Sequence, residues 1–326
     1  MLITLDEGKP GGVCSTGNHD SRMHTMPLES PFRQTSSLHG SAPAKINLTL
    51  DVLGPRGDGY HELRSLVISV GLADRICCTL DREPGVHLHC TDAALRGPDN
   101  LAVRAARLLA ERCAIVPAIR IDLEKCIPVG GGLGGGSSDA ATVLRLCNDL
   151  WQAERSASEL LAMGATLGSD VSFFFALPSA VLTGRGDRVE PAALRWSGWV
   201  LLVFAGPAVS TAKVFRAWRP ADSAQFPSAA DAQVRSASTA AELSPLLSNH
   251  LEPAVFRVSP HVHSVFSELN RTGAGPFRVS GAGSTLFRLL DDKDAAYDLM
   301  KWIGTLGLDL RASVVAAPAE PDSINV

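Results

Sequence analysis

The chain has 326 residues, 45% of them apolar and 20% charged, with a formal charge of −4. That is enough chain for two ordinary soluble domains, and the slightly acidic balance excludes a nucleic-acid surface, which needs a basic excess. No apolar run approaches the ~20 residues of a membrane-spanning helix, and seven scattered cysteines without a C-x-x-C pair predict reduced thiols in a cytoplasm rather than a disulfide framework or a zinc site.

Residues 1–40 carry Gly, Pro, Ser and His with little periodicity, and they include Asp6, Glu7, Asp20 and Glu29. They lack the apolar core of a signal peptide and the acid-poor character of a transit peptide, so a loosely ordered extension is expected. Folded structure is expected from about residue 41. Ile46, Leu48 and Leu50 alternate as a strand does, and a turn at 54–59 leads to an apolar run over 66–70. Two further alternating strands, on Val86, Leu88 and Cys90 and on Ile119, Ile121 and Leu123, flank a helix. Asp99 can cap that helix, whose Leu101, Ala105, Leu108 and Leu109 share a face.

Next comes Pro128-Val129-Gly130-Gly131-Gly132-Leu133-Gly134-Gly135-Gly136-Ser137-Ser138, and then a helix from about Asp139 with Ala140, Val143, Leu144 and Cys147 at helical spacing. Another helix covers about 157–167, and strands are expected at 180–182 and 199–204. Residues 220–244, rich in Ala and Ser, predict a solvated excursion with some helix and little to bury. Strands at 276–280 and 285–290 and a helix at 294–302 complete the chain. Hairpin-like strands with separate helices indicate an α+β fold.

Six glycines between 130 and 136 are hard to explain without a ligand. Each ordered glycine costs on the order of 0.5–1 kcal/mol in conformational entropy, and in return the backbone can approach an anion with no Cβ in the way. N–H groups that converge in such a loop bind phosphate, and the positive end of the following helix adds to the attraction. The Ser137 and Ser138 hydroxyls can cap the helix or hold a phosphate oxygen or Mg²⁺. Ser137 stands where a Walker loop has its lysine, so this is not a Walker loop. The dinucleotide pattern G-x-G-x-x-G fits by letters only, since the acidic residues some 20 positions on are in helical surroundings.

Three separated segments resemble the GHMP kinase superfamily: Pro43-Ala44-Lys45-Ile46-Asn47-Leu48, the glycine loop, and Val279-Ser280-Gly281-Ala282-Gly283-Ser284-Thr285-Leu286-Phe287. Asp58-Gly59-Tyr60-His61-Glu62 and Gly168-Ser169-Asp170-Val171-Ser172-Phe173 add to the likeness, which runs from about 41 to 316. The resemblance implies a two-domain GHMP kinase fold, with a ribosomal protein S5 domain 2-like N-terminal domain over 41–192 and a ferredoxin-like C-terminal domain over 193–318, followed by a short tail. The active site would lie in the cleft between them.

The implied activity is transfer of the ATP γ-phosphate, with Mg²⁺, to the 2-hydroxyl of a cytidyl-diphosphate-linked methylerythritol in the non-mevalonate isoprenoid route. The protein would be a cytoplasmic monomer or weak homodimer with no membrane or nucleic-acid partner. Asp170 matches the family's catalytic aspartate and Lys45 its catalytic lysine. Asn47, on the same strand face as Lys45, is a candidate substrate contact. The resemblance assigns Tyr60, His61, Thr211 and Phe215 to the cytidine end, and Asn100 and Lys125 to the adenine pocket. Its alternatives are a GHMP kinase for homoserine, mevalonate or a sugar, or a non-catalytic nucleotide-binding regulator. The Asp58–Glu62 turn disfavours the first, and retention of Lys45 and Asp170 disfavours the second.

Overall fold

Twenty consecutive residues, His61–Leu80, form β3, the longest strand of the computed structural model, which describes residues 36–226 and 231–319. Strands β1 (Ser37–Asn47) and β2 (Thr49–Pro55) pair antiparallel with it in succession along one edge. Strands β5 (Ala118–Glu124) and β6 (Ser179–Gly184) pair along the other. β4 (Gly85–Cys90) adds in parallel to β5, and β7 (Arg188–Pro191) adds to β6. Side chains alternate across a strand, so the 66–70 run serves two cores: Val67 packs under the helices, while Leu66, Ile68 and Val70 pack on the opposite face.

The helical layer consists of α1 (Leu101–Arg112), α2 (Gly135–Leu150) and α3 (Ala157–Leu167). A second, four-stranded antiparallel sheet in the order β10-β11-β8-β12 covers the other face. It comprises β8 (Gly198–Phe204), β10 (Arg278–Val279), β11 (Thr285–Leu290) and β12 (Arg311–Ala317). Val200 and Leu202 of β8 face the first sheet. Leu201 and Val203 face a core shared with α8 (Glu252–Val258) and α9 (Pro260–Arg271). Burial on both faces explains why the 199–205 run is continuously apolar. The expected 192/193 division falls between β7 and β8, yet β9 (Ser248–Asn249), from the later half, pairs in parallel with β2 of the first sheet. No helix of the described residues is long and apolar enough to cross a membrane.

The structure departs from the sequence expectations at several places. Ordered strand begins at Ser37, not 41, because residues 37–43 complete an antiparallel ladder with 73–79; residues 1–35 lie outside the described residues. Asn100, not Asp99, caps α1, its side-chain oxygen accepting from the Ala102 N–H. The 220–244 excursion buries more than its composition suggests. Its helices α5 (Pro220–Ser223), α6 (Asp231–Ser236) and α7 (Ala240–Leu243) surround residues 227–230, which are outside the description. Val234, Ala237, Ala240 and Leu243 sink into the inter-sheet core. Small side chains suit that close approach, and the hydropathy pattern does not announce it. Strand β10 is only two residues long.

Candidate active site

The glycine loop leaves β5 and enters α2, and four of its carbonyls are held from outside. Gly130 O accepts from Val209 N (3.3 Å), Gly131 O from Thr285 N (3.2 Å) and Leu133 O from Lys45 N (2.9 Å). Gly132 O accepts from the Ser280 hydroxyl at 3.1 Å. In a trans peptide the C=O and the following N–H point in opposite directions; the Gly131 N–H is taken by Pro128 O at 3.4 Å, and the amides of Gly132, Leu133 and Gly134 are turned to the other side, where an anion can collect them. Positive φ at Gly130, Gly132 and Gly134 (68°, 77° and 72°) makes the pattern possible. α2 starts at Gly135, four residues before the expected Asp139, with Gly134 at its N-cap and no side chain capping it. Its first amides are therefore left for a ligand.

A cleft of about 990 Å³ opens beneath the loop. Lys45, Asn47, Tyr60, His61, Asn100, Lys125, Asp170, Thr211, Phe215 and the stretch 128–137 all line it. Ser138 does not; it lies in the first turn of α2, fully buried, with its hydroxyl unpartnered among the described residues.

Lys45 follows a register shift at Pro43/Ala44, where β1 bends against β3. Its side chain is buried, and its ammonium lies 3.4 Å from Asp170 Oδ2 and donates to Asn47 Oδ1 at 2.7 Å. Asn47 Nδ2 in turn donates to Ser65 Oγ (2.8 Å), which donates to Thr49 O (2.5 Å). Asn47 thus positions the lysine and keeps one amide hydrogen for a ligand. Asp170, 40% exposed, precedes the turn Val171–Phe175, whose Phe173 and Phe174 are fully buried. Packing at those rings anchors the backbone that presents the carboxylate.

Lys125 has a second assignment besides lining the cleft. Its ammonium bridges Asp74 and Asp139, 2.7 Å from the latter. Asp74, fully buried, also accepts from the N–H groups of Cys126 (2.6 Å) and Ile127 (2.8 Å), the residues leading into the loop. Asp139 lies just beyond the loop, so the three charges tie its two ends together. Burial, with Asp74 adding to it, pushes Asp139 up to about 7 against the pull of Lys125. Burial alone would lower Lys125, but the two carboxylates outweigh it and raise it. A folded-state value above the unfolded 3.8 means that stability from this site is complete below about 4 and is lost as pH rises through 7. The chain is expected to melt lower at pH 8 than at pH 5, with Asp139→Asn showing a shallower slope; equal slopes in thermal melts would exclude this assignment.

At the far end of the cleft, the His61 ring lies against Phe215 (centroids 5.1 Å, 30°) and edge-on to Trp218 (5.4 Å, 81°). Tyr60 is half exposed, with the Arg185 guanidinium 5.1 Å from its ring. Thr211 and Phe215 come from α4 (Thr211–Ala217). Asn100 lines the cleft while both ends of its amide are engaged, Nδ2 donating to Leu95 O at 2.9 Å. Sequence reasoning missed Arg185, Trp218, Asp74 and Asp139. Asp139 had a local signal, its place directly behind the loop, and Trp218 another, its place at the end of the helix that carries Thr211 and Phe215; Arg185 and Asp74 approach across the fold.

The chain matches the family description GHMP kinases N terminal domain over residues 100–176 and GHMP kinases C terminal over 230–301. It is 42% identical over 256 residues to 4-diphosphocytidyl-2-C-methyl-D-erythritol kinase of Citrifermentans bemidjiense, covering 78% of this chain and 90% of that protein. It is 37% identical over 251 residues to the same kinase of Shouchella clausii, covering 77% and 84%. A crystal structure of 4-(cytidine 5'-diphospho)-2C-methyl-D-erythritol kinase superposes with a TM-score of 0.71 at 38% identity, over 85% of this chain and 98% of that one. Homoserine kinase from Cytophaga hutchinsonii shares the fold at 17% identity, with a TM-score of 0.68 over 91% and 100% of the two chains. With a glycine loop, a Lys45–Asp170 pair and relatives of this identity and coverage, the chain belongs to the 4-diphosphocytidyl-2-C-methyl-D-erythritol kinase family of the GHMP kinases, phosphotransferases with an alcohol acceptor.

Proposed function

We propose that the chain transfers the γ-phosphoryl group of ATP to the 2-hydroxyl of 4-diphosphocytidyl-2-C-methyl-D-erythritol, a step of non-mevalonate isoprenoid synthesis. The observation that carries the reading is the 3.4 Å Lys45–Asp170 pair in the cleft roofed by the glycine loop. The loop amides and the start of α2 take the phosphates. Asp170 accepts the hydroxyl proton as the acceptor oxygen bonds to the γ-phosphorus. The bond from that phosphorus to the β–γ bridging oxygen breaks, and its electron pair leaves with ADP. Lys45 orients the carboxylate and offsets charge on the moving phosphoryl group.

The cytidine end is assigned to Tyr60, His61, Thr211 and Phe215, and the adenine end to Asn100 and Lys125. Mg²⁺ would accompany ATP and neutralise charge on its phosphates. The domain division at 192/193 and a cytoplasmic monomer or weak homodimer complete the reading. The test is purified protein with ATP, Mg²⁺ and the cytidyl substrate, following ADP. Turnover no greater than that of Asp170→Asn would refute the reaction.

A further inference from the structure

The segment 248–252 lies outside the three sequence segments 43–48, 128–138 and 279–287, yet its side chains hold the backbone of the third one. Asn249 is 1% exposed. Its Nδ2 donates to both Val279 O (2.9 Å) and Gly281 O (2.8 Å), while its Oδ1 accepts from Leu251 N at 2.9 Å. Three residues on, buried Glu252 accepts from the Val279 N–H at 3.0 Å, with Arg278 Nη1 4.0 Å from its other oxygen. Two side chains thus occupy three backbone groups of one turn. Asn249 itself belongs to β9, whose pairing with β2 anchors it to the first sheet.

That turn touches the reacting end of the cleft. A Cβ built on Gly281 would stand 3.3 Å from Lys45 Nζ and 3.1 Å from Asn47 Oδ1. Ser280 and Thr285 hold the Gly132 and Gly131 carbonyls of the glycine loop. Gly281 O points to Asn249, so the N–H of Ala282, on the other side of the same trans peptide, points away from it, and Gly281 and Ala282 line the cleft.

We propose that Asn249 and Glu252 are positioning residues for phosphoryl transfer, fixing the 279–282 backbone so that it holds Lys45 and the glycine loop in register and turns the Ala282 N–H toward the transferred group. The proposal rests on the reaction above. A displacement of about 1 Å in such a constellation costs up to about 100-fold in rate. Steady-state kinetics on the full chain should show kcat of Asn249→Ala lowered about 10- to 100-fold, with KM for ATP and for the cytidyl substrate within about threefold. Glu252→Ala should fall similarly, and Glu252→Gln, which keeps an acceptor for the Val279 N–H, should recover at least tenfold of that loss.

A purely structural role predicts something else: lower melting temperatures with kcat per folded molecule unchanged, or Glu252→Gln as poor as Glu252→Ala. Either result overturns the proposal. Should Asn249→Ala fail to fold, the Glu252 pair decides alone. A parent chain without turnover counts against the reaction itself, whereas a working parent beside unaffected variants counts against the clamp.

Discussion

Asp170→Asn is expected to lower kcat by about 10²- to 10⁴-fold, the usual worth of a positioned proton acceptor, while ATP affinity stays within a few-fold. The asymmetry follows from the geometry. Asparagine keeps the shape and a carbonyl oxygen near the Lys45 ammonium, which lies 3.4 Å from the native carboxylate, but it cannot take a proton from the acceptor hydroxyl. The proposed phosphate cradle is built from backbone of 130–136 and its holders at the Lys45 and Val209 backbone, Ser280 and Thr285, and the substitution alters none of these groups. Single-turnover rates together with calorimetric ATP binding check this. Parallel loss of rate and affinity would move Asp170 from proton transfer to nucleotide binding.

Gly132→Ala is expected to cost on the order of 3–5 kcal/mol of stability, the range for overpacking and strained backbone combined. A Cβ there would sit 2.0 Å from Ser280 O and 2.8 Å from Gly283 N. Both are backbone atoms of the opposing turn, and φ is +77°, so neither a rotamer change nor a small shift relieves the clash. Gly136 is the control. It lies inside α2, and a Cβ there meets nothing closer than Leu101 Cδ1 at 3.8 Å. Gly136→Ala should melt no lower than the parent, since alanine is favoured over glycine in a helix by up to about 1 kcal/mol, yet it should weaken ATP binding because it intrudes where the phosphates approach. Thermal melts and nucleotide titrations on both variants separate the two kinds of glycine. Similar melting for the two would contradict the packing account.

Gly134 shows why the loop has to be seen folded. Its Cβ would meet the Lys45 side chain at 3.0 Å and Phe174 at 3.1 Å, so a bulky residue there disturbs Lys45 as well as the loop. Nothing in the order of residues separates Gly132, pressed on a remote backbone, from Gly136, open to the cleft.

What the sequence alone determined is whatever short-range physics writes locally: the alternation of β4 and β5, the periodicity of α1 to α3, the strand–glycine–helix order around 130–136, and, through its likeness to the GHMP kinases, the family. These signals survive because strand period, helix period and glycine density are properties of neighbouring residues. The tertiary structure decided which groups meet across distance. It set Asp74 and Asp139 on one lysine, gave Asn47 to Lys45, and joined Asn249 and Glu252 to a turn 30 residues further along. It also buried Val234, Ala237, Ala240 and Leu243 of the 220–244 segment, whose composition reads as solvated. Buried polar groups must find partners wherever the fold brings them, and that pairing leaves no periodic trace in the chain.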